Sequence, residues 1–411
     1  MGWLRALRWP TYRRVWLVAT MLQFGYWFAS IAFQWLVARD TDSDPLSLSL
    51  LYFFMLIPML IFSLPAGVLA DTRDRRSNIL LSQLGVVLVS AVTAGLVLLD
   101  RAPFGVLIAC GFAAGMVQAG AVPSAVALVA NSVPVEDLRS AIVVQSAGMN
   151  LARILGPAIA GLIILSLGAV ESVFMYGGMA ALTLLALRGL KPLPRTENGI
   201  ARPSVMARIG AGLRHVREHP PAGTALLVVA ATSLFGLSYI AQMPALAARV
   251  SPDPSVFLLL TTLAAVGSGF GLLVVVFRPN SAPTVTPAAM LLALQGVVVV
   301  ALGFTTVLWL AVALVTIGGA MMFAIMTSCN TVIQAVVDDD HRGRVMSLYV
   351  MCWGGLMPVG GLLLGVVWHF AGPQVALGSC GLAALLVAGA VLRPGLAQER
   401  PDAGTLRDHP A

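Results

Sequence analysis

Twelve stretches of this chain each run to about 20 residues or more with almost no charge, too apolar for any of them to rest in water. A helix of that length satisfies its own backbone hydrogen bonds across the hydrocarbon, so each run reads as a bilayer-spanning helix. The first six are Val15–Ala38, Leu46–Leu69, Asn78–Leu99, Phe104–Val129, Ala141–Leu167 and Ser172–Leu190. The second six are Ala222–Ala248, Ser255–Phe277, Val285–Thr306, Val307–Ala335, Val345–Phe370 and Gln374–Leu392. Only a very tight turn at Gly303-Phe304-Thr305-Thr306 separates the ninth from the tenth. Composition leaves no soluble alternative. Of 411 residues, 58% are apolar and 10% charged, whereas a soluble domain carries about 25% charged residues. Mean hydropathy is +0.90. The first run follows Arg5, Arg8, Arg13 and Arg14 but is too long for a signal-peptide core, so it reads as a span.

Charge tests this parsing independently. Of the 25 Lys and Arg residues, Arg39, Arg101 and Arg249 fall at ends assigned outside, and Arg153 lies within the fifth span. All the others fall at the alternate ends, which the positive-inside rule assigns to the cytoplasm. A multi-pass protein of the bacterial inner membrane, with both termini cytoplasmic, is therefore expected. Cys110, Cys329, Cys352 and Cys380 all sit inside apolar runs without metal or redox spacing, and read as packing residues. The sequence pattern groups no His, Cys or acids into a catalytic or metal site. No phosphate-binding loop is present either, so neither enzymatic activity nor a cofactor is expected.

The spans divide into two halves. Residues 1–190 form the first six-helix bundle, 191–221 a linker, 222–393 the second bundle and 394–411 a tail. Within the linker, Val205, Ile209, Leu213 and Val216 recur at helical spacing, with Arg208, Arg214 and Arg217 between them. This predicts an amphipathic helix at the anionic cytoplasmic headgroup layer. An internal repeat supports the division. Val133-Pro134-Val135-Glu136-Asp137-Leu138-Arg139-Ser140 leads into span five, and Val336-Val337-Asp338-Asp339-Asp340-His341-Arg342-Gly343 leads into span eleven, 203 positions later. The same offset pairs Gly115 with Gly318 and Ser124 with Thr327. Parallel six-helix repeats are a plan of secondary transporters.

Two motifs carry a family resemblance. Gly67-Val68-Leu69-Ala70-Asp71-Thr72-Arg73-Asp74-Arg75-Arg76 resembles the loop signature that follows span two in the major facilitator superfamily, departing from it at Asp74 where glycine is usual. The fold this implies is all-α, with twelve transmembrane helices in two six-helix bundles. It further implies a cytoplasmic gate of Gly67, Asp71, Arg75 and Arg76, with Arg75 reaching Glu136 or Asp137, and Arg139, Asp340 and Arg342 beside them. The alternative is a solvated basic loop with no latch. Span five reads Gly148-Met149-Asn150-Leu151-Ala152-Arg153-Ile154-Leu155-Gly156-Pro157-Ala158-Ile159-Ala160-Gly161. It resembles the family's exporter-type motif at Gly148, Ala152, Gly156, Pro157 and Gly161; close membrane-helix packing is the alternative. Short stretches around Trp16, Arg153 and Arg344 resemble the enterobactin-exporter-like and macrolide-efflux-like branch.

Within the spans, polar and aromatic residues mark a candidate substrate cavity. On the first half these are Gln23, Tyr26, Trp27, Gln34, Gln118, Asn150 and Arg153, and on the second Tyr239, Gln242, Thr327 and Asn330. Uncharged polar groups beside large rings suit an amphipathic organic molecule. An arginine at mid-span costs about 2.5–3.5 kcal/mol to insert, so Arg153 either anchors a polar or anionic substrate or bonds carbonyls freed near Pro157. No Asp or Glu lies well inside a span, which leaves the energy source open, with protons as the candidate coupling ion. The expected protein is a monomeric exporter of a drug or siderophore-like metabolite, with lipid and a small molecule as partners and no nucleic acid. Uptake or lipid flipping by the same fold, and membrane sensing without transport, are the rival readings.

Overall fold

The computed structural model describes residues 2–72, 75–190, 205–276 and 284–393, and among them it is helical with no strand. A 3-10 turn over Gly2–Arg8 leads into α1 (Pro10–Asp40). Next come α2 (Pro45–Thr72), α3 (Arg75–Leu98), α4 (Phe104–Ala119), α5 (Ala121–Ala130), α6 (Leu138–Ser166) and α7 (Ala169–Arg188). The linker helix is α8 (Val205–Glu218), followed by α9 (Pro220–Ala231), α10 (Met243–Val250), α11 (Ser255–Val276) and α12 (Thr286–Phe304). The last are α13 (Leu308–Val336), α14 (Asp339–Val350) and α15 (Leu356–Leu392).

Among the described residues, nine helical stretches are long and apolar enough to cross a membrane, and Pro45–Met59 and Ser255–Gly271 are shorter apolar helices. The last of the nine, His341–Leu392, turns at Gly372, where φ is +83°, before Pro373. An L side chain rarely adopts that backbone, and the proline cannot continue the preceding helix, so the stretch supplies two crossings. Counted this way the pattern accommodates twelve spans. The expected tight turn is present, with α12 ending at Phe304 and α13 beginning at Leu308.

Two spans that read as continuous are broken. Span four divides at Gly120 into α4 and α5. Span seven passes from α9 through a π-helical turn, Thr232–Gly236, and a 3-10 turn, Ser238–Gln242, before α10. A π turn, Met351–Gly355, also joins α14 to α15. Composition hid these breaks because apolar residues continue through them. Their polar residues, Thr232, Ser233, Ser238 and Gln242, are all buried.

The helices are amphipathic in the inverted sense. On α3, Leu81, Leu84, Leu88 and Val92 make one exposed stripe, while Gln83, Ser90 and Thr93 are buried on the other side. Ser90 Oγ donates to the Val173 carbonyl of α7 at 2.7 Å. Lipid is a better solvent than water for the leucine stripe, whereas a hydroxyl needs a partner once it is buried.

Backbone-to-backbone approach is set by glycine. At Gly115 of α4 a methyl group would collide with the Met55 carbonyl of α2, and at Gly319 of α13 with the Ala264 carbonyl of α11. Small residues permit such approach between membrane helices, where packing rather than hydrophobicity drives association. The second-half contact uses Gly319, one residue beyond the repeat partner Gly318.

The chain separates into two compact units. The first comprises residues 1–200 with 243–262, and the second 201–242 with 263–411. Met243–Thr262 thus groups with the first unit, not with the remaining second-half spans. In the first unit, Tyr12, Val15, Val18, Leu22, Ile79 and Leu187 pack as one buried cluster.

Candidate functional site

The exporter-type motif forms the face that α6 turns toward α1. A methyl group at Gly148 would meet Thr20 Oγ1 and Trp16 Nε1, and at Gly156 it would meet Trp27 Cβ at 2.6 Å. Ala152, Gly156 and Pro157 are buried. Gly161 lies against Leu258 of α11. Pro157 has no N–H to give the Arg153 carbonyl four residues earlier, so the usual helical bond to that carbonyl is not made by the proline.

Arg153 and Tyr26 stand within electrostatic reach of each other, and Tyr26 stands likewise to Tyr52 on α2. Tyr26 and Trp27 meet edge to face at 5.4 Å. An arginine of α6 and a phenol of α2 thus both stand near the Tyr26–Trp27 pair of α1 in the first unit. Tyr52 went unread in the sequence; its one signal is that the chain holds only six tyrosines.

Three other expected cavity residues have hydrogen-bond partners. Gln34 Nε2 donates to Ser30 Oγ at 3.2 Å and Asn150 Nδ2 to the Ser146 carbonyl at 2.9 Å, each on its own helix. Gln118 Nε2 reaches the Leu22 carbonyl at 3.2 Å, tying α4 to α1. Gln23 lines a small crevice with Gln145 and Met149. In the second unit Tyr239 and Gln242 are completely buried, and the Tyr239 hydroxyl lies against Gly318. Thr327 and Asn330 are half-buried on α13, where Asn330 bonds Gln334 and pairs with the Tyr349 hydroxyl. A hollow of about 440 Å³ lies elsewhere in the first unit, lined by Trp35, Arg39, Ser43, Pro244, Asp253 and Phe257. Cavity volume alone therefore does not pick out the Arg153 cluster; its chemistry does.

At the start of α6 the N-terminal segment supplies partners for Asp137. The Asp137 carboxylate, 2% exposed, accepts from Arg8 at 2.6 Å and Trp9 Nε1 at 2.8 Å. The Trp9 hydrogen bond and then Arg8 hold its carboxyl below the ordinary Asp value, against the opposing effect of burial. Three further bonds tie the N-terminal segment to α6. The Ala6 amide donates to Ser140 Oγ at 3.0 Å, Tyr12 to the Ala141 carbonyl at 2.7 Å and Trp16 to the Val144 carbonyl at 3.0 Å. Tyr12 and Trp16 lie four apart on α1 and Ala141 and Val144 three apart on α6, so one helix face meets the other turn by turn. Arg76 Nε bonds the Leu187 carbonyl at 3.1 Å. Glu136, Arg139 and Arg342 are exposed. Gly67 and Asp71 fall in the last turns of α2 and Asp340 in α14, but their side chains, and residues 73–74, lie outside the described residues.

The fold is that of the major facilitator transporters. It is similar to the crystal structure of nucleoside transporter NupG, with a TM-score of 0.72 at 12% identity, covering 93% of this chain and 98% of that one. It is similar also to the D-xylose-proton symporter, with a TM-score of 0.73 at 13% identity, covering 93% and 97%. The chain is thus a multi-pass membrane transporter of small molecules. More narrowly, residues 2–404 match the family described as transmembrane secretion effector (MFS_3), and the chain belongs to it. A relative is the staphyloferrin A transporter of Staphylococcus aureus (strain NCTC 8325 / PS 47), 26% identical over 352 residues, 84% of this chain and 86% of that protein.

Proposed function

We propose that the protein is a secondary exporter that moves an amphipathic, anionic organic compound of the siderophore type out of the cytoplasm by alternating access. The observation that carries this reading is the Arg153–Tyr26–Tyr52 cluster beside Trp27. A guanidinium binds carboxylates through two parallel hydrogen bonds, and flanking rings accept the apolar body of the same ligand. The relative that transports staphyloferrin A supports the substrate class. The Gly-Pro motif of α6 supports the outward direction, and Arg153 itself lies within that motif. The proposed setting is the bacterial inner membrane with both termini in the cytoplasm, which the alternating arginines support.

Measuring cellular retention of catecholate and carboxylate siderophores, a macrolide and a cationic dye in deletion and overexpressing cells tests the reading. Siderophore retention rises in the deletion strain and falls on overexpression. Unchanged retention of every compound defeats export, and overexpression that raises siderophore accumulation replaces it with uptake. Counterflow of labelled siderophore in proteoliposomes separates transport from sensing.

A further inference from the structure

We propose that His215, His219 and Asp338 form a binding site for a divalent transition metal, of zinc, nickel or copper chemistry, clamping the linker helix α8 to the start of α14. One ligand atom from each of the three residues lies within 4.8 Å of the other two. Tetrahedral ligands about 2.0–2.2 Å from zinc stand roughly 3.4 Å apart, so the donors close on one ion when the stacked His215 and His219 rings, 4.0 Å between centroids, rotate to aim their in-plane lone pairs at a common point. Two imidazoles and one carboxylate are the donors that borderline cations prefer over calcium or magnesium.

The donor atoms are available. His219 Nδ1 pairs with the His215 carbonyl at 2.9 Å; when it donates that bond, the tautomer is fixed and the Nε2 lone pair is left free. His215 is 5% exposed, and its Nε2 is buried with no hydrogen-bond partner among the described residues. A buried ring nitrogen without a partner is costly, and a metal ion would satisfy it. The His341 ring stacks on His215 at 4.2 Å and brings further imidazole nitrogens to the same place. The backbone is close enough for a clamp, since Gly212 of α8 lies against Leu348 and the Arg344 carbonyl of α14.

The site is remote in sequence from the Arg153 cluster and stands whether or not the export reading holds. The test uses the full-length chain purified in detergent through a histidine-free tag and stripped with a chelator. Zn²⁺ is titrated calorimetrically, and Co²⁺ is followed by its visible absorption. One Zn²⁺ per chain is expected, with affinity weakened more than tenfold in His219→Ala and in Asp338→Asn and unchanged in His369→Ala. Asp338→Asn nearly conserves the shape of an exposed side chain, so its loss of binding is not a failure to fold. No micromolar Zn²⁺ binding by the wild type, or binding that survives in the His215→Ala/His219→Ala double variant, overturns the proposal.

Discussion

Arg153 within α6 and Asp137 at its N-cap are two charges with opposite surroundings. Arg153 sits mid-span within electrostatic reach of the Tyr26 phenol. Removing its guanidinium takes away the charged recognition group without emptying a packed apolar site, because the residue is only half-buried. Arg153→Ala is expected to abolish siderophore counterflow while membrane yield stays at the wild-type level; wild-type rates would reduce the residue to packing. Asp137 instead holds the N-terminal segment to α6. Its folded carboxyl titrates below the ordinary value of 3.8, so this contribution to stability is present above that pH and lost as the pH falls through the depressed value. Melting curves in detergent from pH 7 down to about pH 3 should therefore show a steeper acid loss for wild type than for Asp137→Asn. The Arg8→Met and Asp137→Asn effects at neutral pH should fall short of additive, since both remove the same ion pair.

At the level of helices, glycine contacts with a carbonyl leave no room for a side chain. Gly319→Val places branched carbons on the Ala264 backbone, where only separation of α11 from α13 relieves the clash. Overpacking of this kind costs at least about 1–3 kcal/mol, which should lower the melting temperature in detergent and the yield from membranes. Gly343→Ala on α14 is the contrast, because nothing lies within 4 Å of the added carbon. There the helix gains about 0.5–1 kcal/mol from the loss of glycine's freedom in the unfolded chain, and melting should rise slightly.

For the whole molecule the decisive prediction is sidedness. In a background lacking Cys110, Cys329, Cys352 and Cys380, a cysteine at Asp42 should react with a membrane-impermeant maleimide added to intact cells. One at Gly210 should react only after lysis. Both positions lie outside the spans, Asp42 in the turn between α1 and α2 and Gly210 on the linker helix. Reversed labelling would invert the orientation, and with it the meaning of export.

How much of this was legible before folding differs by feature. The spans were legible because each must satisfy the bilayer by itself, so composition within about 20 residues is sufficient information. The glycine face of span five was legible for the same local reason, since small residues at helical spacing already define one side of a cylinder. The breaks at Gly120 and Thr232–Gln242 were not, because a π or 3-10 turn depends on what buries its polar groups. Nor could spacing show that Asp137 belongs to Arg8, that Tyr52 stands near Tyr26, or that Asp338 approaches two histidines of the linker. Those partners lie on different helices, and only tertiary packing decides which faces meet. Periodic apolarity settled what crosses the membrane; the choice of neighbours is a pairing problem between helices, which a one-dimensional pattern does not encode.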